Sequence, residues 1–192
     1  MDHKRGRLIV GNTLDGSLSV LDARSGVLLE VIQLGKPEGD GFEHTRMIEI
    51  DGESGRVFVS SPSEAGTLWI VDTAAGNAVT RIDDAGLWAA GLAHDPASGR
   101  VYVSGGGMNE ILIVDGRSGA RVGTLSTGDT TEPGQDASKH FFINLALDAK
   151  GERLFAADAN SGQLYVFDIA SGKAIKTVPI GLGVLDVTYV PQ

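Results

Sequence analysis

Seven side chains of this sequence could bind a ligand, because they place aromatic rings beside polar and charged groups at comparable points of a repeating pattern. Counted back from recurring aspartate turns, or lying next to the counted position, they are His44, Arg46, Trp88, His140, Phe141, Asn144 and, near the end of the chain, Asp186. A planar ligand or a peptide can stack on Trp88 and Phe141, while arginine, histidine and asparagine supply hydrogen bonds or bind an anion. The alternative is that the rings pack between repeats and the polar groups bind the backbone.

Other kinds of site find less support in the residue types. His44 and His140, together with one carboxylate, would suffice for a divalent metal ion, but the sequence has only four histidines and no His-x-His or His-x-x-x-His spacing. Cysteine is absent, and no Gly-x-Ser-x-Gly turn offers a serine nucleophile. The sequence therefore predicts no catalytic residue, no metal and no cofactor.

The elements that position these residues come from a fourfold repeat. Each copy is an apolar run that ends in an aspartate, with a glycine four residues later, and the four aspartates are Asp22, Asp72, Asp115 and Asp168. Their spacings of 50, 43 and 53 residues are typical of propeller blades built from strands. Because the aspartates recur in every copy, we expect them to cap turns rather than to form a site.

The alternation of apolar and polar residues predicts an all-β fold, a β-propeller with four four-stranded antiparallel blades in one domain over residues 1–192. The predicted blades are 45–83, 89–126, 141–180, and 6–34 together with 184–190. The blade formed by residues 6–34 is completed by the strand Val184–Val190, which closes the ring and would bring Asp186 near Arg46. The alternative is an arc of a larger ring, whose open apolar faces would need a partner such as a second copy.

Composition limits the classes of partner. The formal net charge of −9 counts against general attraction to nucleic acid. No apolar run approaches the roughly 20 residues needed to cross a bilayer, so we expect no membrane insertion, and no export signal follows Met1.

Three segments carry a resemblance to a known family. Gly91–Ser104, Lys139–Asp148 and the Gly11-Asn12 pair before a Ser-Val-Leu-Asp strand are similar to the YncE-like family of YVTN-repeat propellers. The resemblance implies about seven blades, a periplasmic location and no established enzymatic reaction. This sequence departs from that pattern in having about four blades and no export signal.

In a propeller, the opening strand of each blade lies nearest the central channel, and residues at its leading end form the channel mouth. The sequence therefore predicts a non-enzymatic module that binds a protein, peptide or small molecule at that mouth. One alternative is a propeller enzyme of the lyase or quinoprotein-dehydrogenase type. Another is a single-stranded nucleic-acid binder that stacks bases on Trp88 and Phe141, against which the net charge counts.

Overall fold

The computed structural model describes residues 1–35, 43–63, 65–86, 88–107, 109–129 and 140–190. Within these ranges the chain forms fifteen β-strands, and every one of them pairs antiparallel with its neighbour in sequence inside its own array. Among the residues described, no helix has the length and apolar character that crossing a membrane requires. The prediction of an all-β fold is confirmed.

The strands form four arrays that follow one another along the chain. The first array holds β1 (Arg7–Asn12), β2 (Ser17–Asp22) and β3 (Leu28–Gln33); the second holds β4 (Ile48–Asp51), β5 (Arg56–Ser61), β6 (Thr67–Asp72) and β7 (Ala78–Asp83); the third holds β8 (Gly91–Asp95), β9 (Arg100–Ser104), β10 (Glu110–Asp115) and β11 (Arg121–Ser126); the fourth holds β12 (Phe142–Asp148), β13 (Arg153–Asp158), β14 (Gln163–Asp168) and β15 (Lys173–Pro179). A single parallel pairing of Ser126 with Lys173 joins the outer strands of the third and fourth arrays.

Aspartate–glycine turns explain why the strands end where they do. Gly55 N donates to Asp51 O at 2.7 Å, and Gly99 N donates to Asp95 O at 2.8 Å. Both glycines have positive φ, 81° and 72°, which glycine adopts without steric cost. The repeated strand-end aspartates cap turns as expected, and the Asp115 carboxylate, for example, accepts from the backbone N–H groups of residues 117 and 118.

The hydrophobic core lies between the arrays. One cluster joins the first and second arrays through Leu18, Val20 and Trp69. A second joins the second and third arrays, and a third joins the third and fourth around Tyr102 and Phe142. Each array therefore buries an apolar face against the next, which is how stacked sheets remove apolar area from water.

The opening strands β4, β8 and β12 lie side by side, because β8 contacts both of the others. A repeated side-chain link accompanies this contact. Ser60 Oγ donates to Ala90 O at 3.0 Å, and Ser104 Oγ donates to Phe142 O at 2.9 Å. These strands have the innermost positions that a central channel requires.

The prediction of a closing strand at Val184–Val190 is wrong, since the structure forms no strand there. The segment instead covers the outer face of the fourth array, where Tyr189 stacks on Phe155 with ring centroids 6.1 Å apart. Asp186 accepts a hydrogen bond from Asn144 Nδ2 and forms no ion pair with Arg46 in the described part of the chain. The physical reason is that Phe155 and Leu164 present apolar surface on the outer face of the fourth array, and residues 187–190 of the terminal segment line a small cavity together with both.

Candidate functional site

Four of the predicted residues stand at the leading ends of the innermost strands. His44 and Arg46 precede β4, Trp88 precedes β8 and Phe141 precedes β12. Arg46 is exposed, and its backbone N–H donates to Ser60 O at 2.9 Å. Phe141 is half-buried and pairs with Gly106 in an isolated bridge. We define these four residues as the mouth.

Trp88 is the most exposed aromatic side chain of the mouth. Its relative exposure is 51%, although a ring of this size is usually well buried. Its φ of 52° lies in the left-handed region, which costs a residue with a Cβ roughly 1–2 kcal/mol. Backbone conformations of this kind concentrate at functional sites, where surrounding structure holds them.

A cavity of about 360 Å³ lies between the innermost strands. Its walls come from β4, β8 and β12 and from residues 186–189 of the terminal segment. Its polar lining includes the side chains of Glu49, His94, Asn144 and Asp186. The structure therefore brings together two predicted residues, Asn144 and Asp186, in the channel rather than at the mouth.

Glu49 and His94 were missed as channel residues by the sequence prediction. Burial raises the pKa of Glu49 and lowers the pKa of His94, although Asp51 and Asp95 oppose the second shift. Both shifts have the same cause, because a low-dielectric environment disfavours the charged form. The available signal was Glu49, an acidic residue between the two isoleucines of strand β4 (Ile48–Asp51).

His140 occupies a buried position with both ring nitrogens engaged. Nδ1 lies 2.8 Å from Asp158 Oδ2, and Nε2 lies 2.9 Å from Asp129 Oδ2. The ring also stacks on Phe142 with centroids 5.4 Å apart. This placement gives His140 a structural role and leaves neither nitrogen free for a ligand. Nor, in the described ranges, does any group of three histidine or acidic side chains have an arrangement that could hold a metal ion.

Asp158 is the centre of this buried network. Besides His140, its carboxylate accepts from Phe141 N at 2.9 Å, Asn160 N at 3.0 Å and Ser161 Oγ at 2.6 Å. Burial alone would raise the pKa of Asp158, but these hydrogen bonds outweigh burial and hold the pKa far below its ordinary value. In return, the bond to Asp158 raises the pKa of His140 against the effect of burial. The network fixes the chain where it enters β12 (Phe142–Asp148).

Sequence comparison with curated proteins identifies relatives, although no protein-family model matches the chain. The YncE proteins of Salmonella typhi and Escherichia coli strain K12 are each 26% identical over 180 residues. The match covers 91% of this chain and 49% of each relative. The chain therefore spans about half the length of the curated relatives it matches.

Comparison with solved structures identifies the fold. A chain of the hydrazine synthase of Kuenenia stuttgartiensis superposes with a TM-score of 0.72 at 20% identity, over 92% of this chain and 47% of that chain. At this identity the likeness concerns the fold alone. It supports a β-propeller, and together with the relatives found by sequence it confirms that the chain is similar to the YncE-like family.

Proposed function

We propose that this chain is a non-enzymatic binding module that takes its ligand at the channel mouth. The observation that carries the proposal is Trp88, an aromatic ring that is 51% exposed on a backbone with positive φ. Glycine and asparagine adopt that conformation more readily than tryptophan does. An exposed ring at the leading end of an innermost strand offers a flat apolar surface for stacking.

The other residues of the mouth favour a ligand with a planar group and a negatively charged or hydrogen-bond-accepting edge. Arg46 is exposed at the leading end of the adjacent strand β4, and a guanidinium group binds carboxylate or phosphate oxygens well. Phe141, on the other side, is half-buried and adds apolar surface. Acidic groups lie further along the channel, at Glu49 and Asp186, so the anionic edge belongs at the outer end beside Arg46.

The alternative functions have weaker support from the residues. A propeller enzyme would need a reactive side chain, and of the candidate histidines His140 has both ring nitrogens engaged by carboxylates. A single-stranded nucleic-acid binder would use the same Trp88 surface, but the net charge of −9 opposes it. We therefore treat nucleic-acid binding as an outcome of the test.

The test uses the contrast between the two tryptophans, since Trp69 is fully buried and Trp88 is exposed. Quenching of fluorescence by a bound ligand is therefore expected to come from Trp88. We expect at least one probe among an aromatic peptide, a nucleoside monophosphate and a single-stranded oligonucleotide to bind, and Trp88→Gly to weaken binding at least tenfold. Glycine is chosen because it accepts the φ of 52° without strain.

The control is Val122→Ala, which alters an exposed apolar side chain in the outer strand β11 (Arg121–Ser126) and should leave affinity unchanged. Binding that Trp88→Gly does not weaken, or binding by no probe, contradicts the proposal. If the oligonucleotide alone binds, with affinity that falls steeply as salt rises, the nucleic-acid alternative holds instead.

We further infer that the four arrays are consecutive blades of a larger ring. The outer face of the first array is apolar and open, with Leu8, Val10 and Val31 exposed by 40%, 40% and 55%. The relatives are about twice as long, which agrees with a ring that holds more blades. When the chain is studied alone, this open apolar face is the surface that a second copy would cover.

Light scattering tests this inference on the 192-residue chain. We expect a solution mass near twice 20.0 kDa, and a single-chain mass for Val10→Lys, which places a charge in the centre of the open face. Lys4→Ala changes an exposed residue of a surface ion pair and should keep the double mass. A wild-type mass of one chain contradicts the second-copy contact. A periplasmic location, which the family resemblance implies, stays a prediction.

A further inference from the structure

The turn that precedes β1 sends an arginine across to the second array. The Arg5 guanidinium donates to Gly52 O and to Glu53 O, each at 3.3 Å. It also donates to Asp2 Oδ2 at 3.2 Å. A guanidinium group thus lies between two successive turns of the repeat, bound by backbone carbonyls and one carboxylate.

The same turn recurs one array later without the arginine. The turns read Asp2-His-Lys-Arg-Gly6, Asp51-Gly-Glu-Ser-Gly55 and Asp95-Pro-Ala-Ser-Gly99. By this alignment Ser54 of the second array takes the place of Arg5, and the carbonyls of residues 96 and 97 correspond to those that Arg5 binds. A serine is too short to reach them.

The space that Arg5 fills is open at the equivalent position. A Cβ built on Gly55 would lie 2.5 Å from Cζ of Arg5, whereas one built on Gly99 would meet no atom within 4 Å. A cavity of about 380 Å³ is found there, between the second and third arrays. Its lining includes Ser54, Gly99 and residues 96–98.

The charges around this cavity favour a cation. Asp51, which corresponds to Asp2, and Asp115 both line it. The two arginines of the lining are Arg56, which is paired with Asp72 at 2.9 Å, and Arg117. The lining thus has two carboxylates and two guanidinium groups, and because Arg56 is already paired with Asp72 outside the lining, Arg117 is the one arginine left facing Asp51 and Asp115.

Two uncharged rings complete the wall. Phe58 is almost fully buried behind this wall, and His94 packs against it with ring centroids 4.8 Å apart. Burial lowers the pKa of His94, which favours the neutral imidazole and adds no competing charge.

We propose that this cavity binds the guanidinium group of an arginine from outside the chain, on the pattern that Arg5 displays one array earlier. The group would bond the carbonyls of residues 96 and 97 and face the Asp51 carboxylate. The site is independent of the mouth: the turns around Asp51 and Asp95 follow the ends of β4 and β8, whereas Arg46 and Trp88 precede their beginnings.

The first test is a titration of the ¹⁵N-labelled chain by NMR with N-acetyl-arginine amide. We expect saturable shifts at the amides of Ser54, Ala97, Gly99 and Gly116, with dissociation constants in the millimolar range. The matched neutral probe, N-acetyl-citrulline amide, should bind at least fivefold more weakly because it lacks the charge. Equal binding of the two probes, or shifts confined to other regions, would overturn the proposal.

A parallel titration with free arginine shows whether the guanidinium group belongs to the free amino acid or to an arginine of a peptide or protein. The α-carboxylate of free arginine would stand near Asp51 and Asp115, so an arginine of a peptide or protein is expected to bind better. In that case the capped probe has the higher affinity. Equal or tighter binding of free arginine identifies a small-molecule ligand and still supports the guanidinium site.

A variant in which the chain's own arginine would fill the cavity gives a second test. Ser54→Arg places an arginine where the first array has Arg5, and we expect a raised Tm and loss of the shifts caused by N-acetyl-arginine amide. Ser171→Arg, in the exposed turn of the fourth array, should change neither. If Ser54→Arg binds N-acetyl-arginine amide as well as the wild type does, the proposal is overturned. If Ser54→Arg does not fold, Asp115→Asn provides the test, and we expect it to lower the affinity for the probe at least threefold.

Discussion

Replacing Asp158 with alanine is expected to lower the free energy of unfolding by about 3–5 kcal/mol, the range for removing one partner of a buried ion pair. The side chain of Asp158 is fully buried, and its carboxylate accepts four hydrogen bonds. Alanine would leave His140 and the backbone N–H of Phe141 buried without their acceptor. Urea unfolding followed by circular dichroism measures the change.

Asp22→Ala provides the matched control, because Asp22 caps a turn of the same kind but is only half-buried. It should have a much smaller effect. Equal losses for the two variants would show that the buried network adds nothing to turn capping.

The pH dependence of stability gives a second readout of the same network. The pKa of His140 is raised in the folded state, so its contribution is fully present below the unfolded value of about 6.5 and is lost as pH rises through the folded pKa. The pKa of Asp158 is depressed, so its contribution is present above about 3.9 and is lost as pH falls. His140→Gln should remove the alkaline loss, and an unchanged alkaline slope would contradict this assignment.

Trp69→Ala is expected to cost about 3–5 kcal/mol, as other aromatic-to-alanine changes in cores do. Trp69 has no exposed surface and packs with Leu18 and Val20 of the first array. The change would open a cavity between two arrays, so we expect the first array to unfold at lower denaturant concentration than the rest.

Two variants calibrate this prediction. Trp69→Phe keeps most of the apolar volume and removes a buried indole N–H that has no hydrogen-bond partner, so it should cost less than alanine. Leu14→Ala alters a side chain that is 62% exposed and should change stability by less than about 0.5 kcal/mol. A loss for Trp69→Ala as small as that of Leu14→Ala would rule out a shared core between the first two arrays.

Strand positions could be predicted from the sequence because local features determine them. The predicted run from Thr67 to Asp72 is β6 with the same bounds, since an aspartate turn ends it and alternation marks its face. The leading-end positions of Arg46 and Trp88 followed from the same count. These features depend on a few neighbouring residues, which the sequence displays directly.

Features that depend on distant partners could not be predicted in this way. The burial of His140 depends on Asp158 and Asp129, which lie on other segments. A register shift in β12 between Phe142 and Asn144 also moves the alignment by one residue. Ala90 lies five residues before Asp95, and the same count back from Asp148 gives Ile143. The serine links show that Phe142 takes this position instead.

The terminal segment shows the same limit. Its alternating sequence from Val184 to Val190 is that of a strand, but a strand also needs an available edge at the right place. The fourth array offered an apolar face closer along the chain, and Tyr189 packs there against Phe155. Competition between these two surfaces is not visible in a local pattern.

The hydroxyl bonds from Ser60 to Ala90 O and from Ser104 to Phe142 O have an evolutionary consequence. Each bond needs a serine on one side and only a main-chain oxygen on the other, which any amino acid provides. Neighbouring arrays are thus linked by a hydrogen bond that does not depend on which residue supplies the accepting carbonyl oxygen. A gene that gains or loses one whole unit can preserve this connection at the new junction, so duplication and deletion in steps of one repeat are the length changes that such a protein tolerates best.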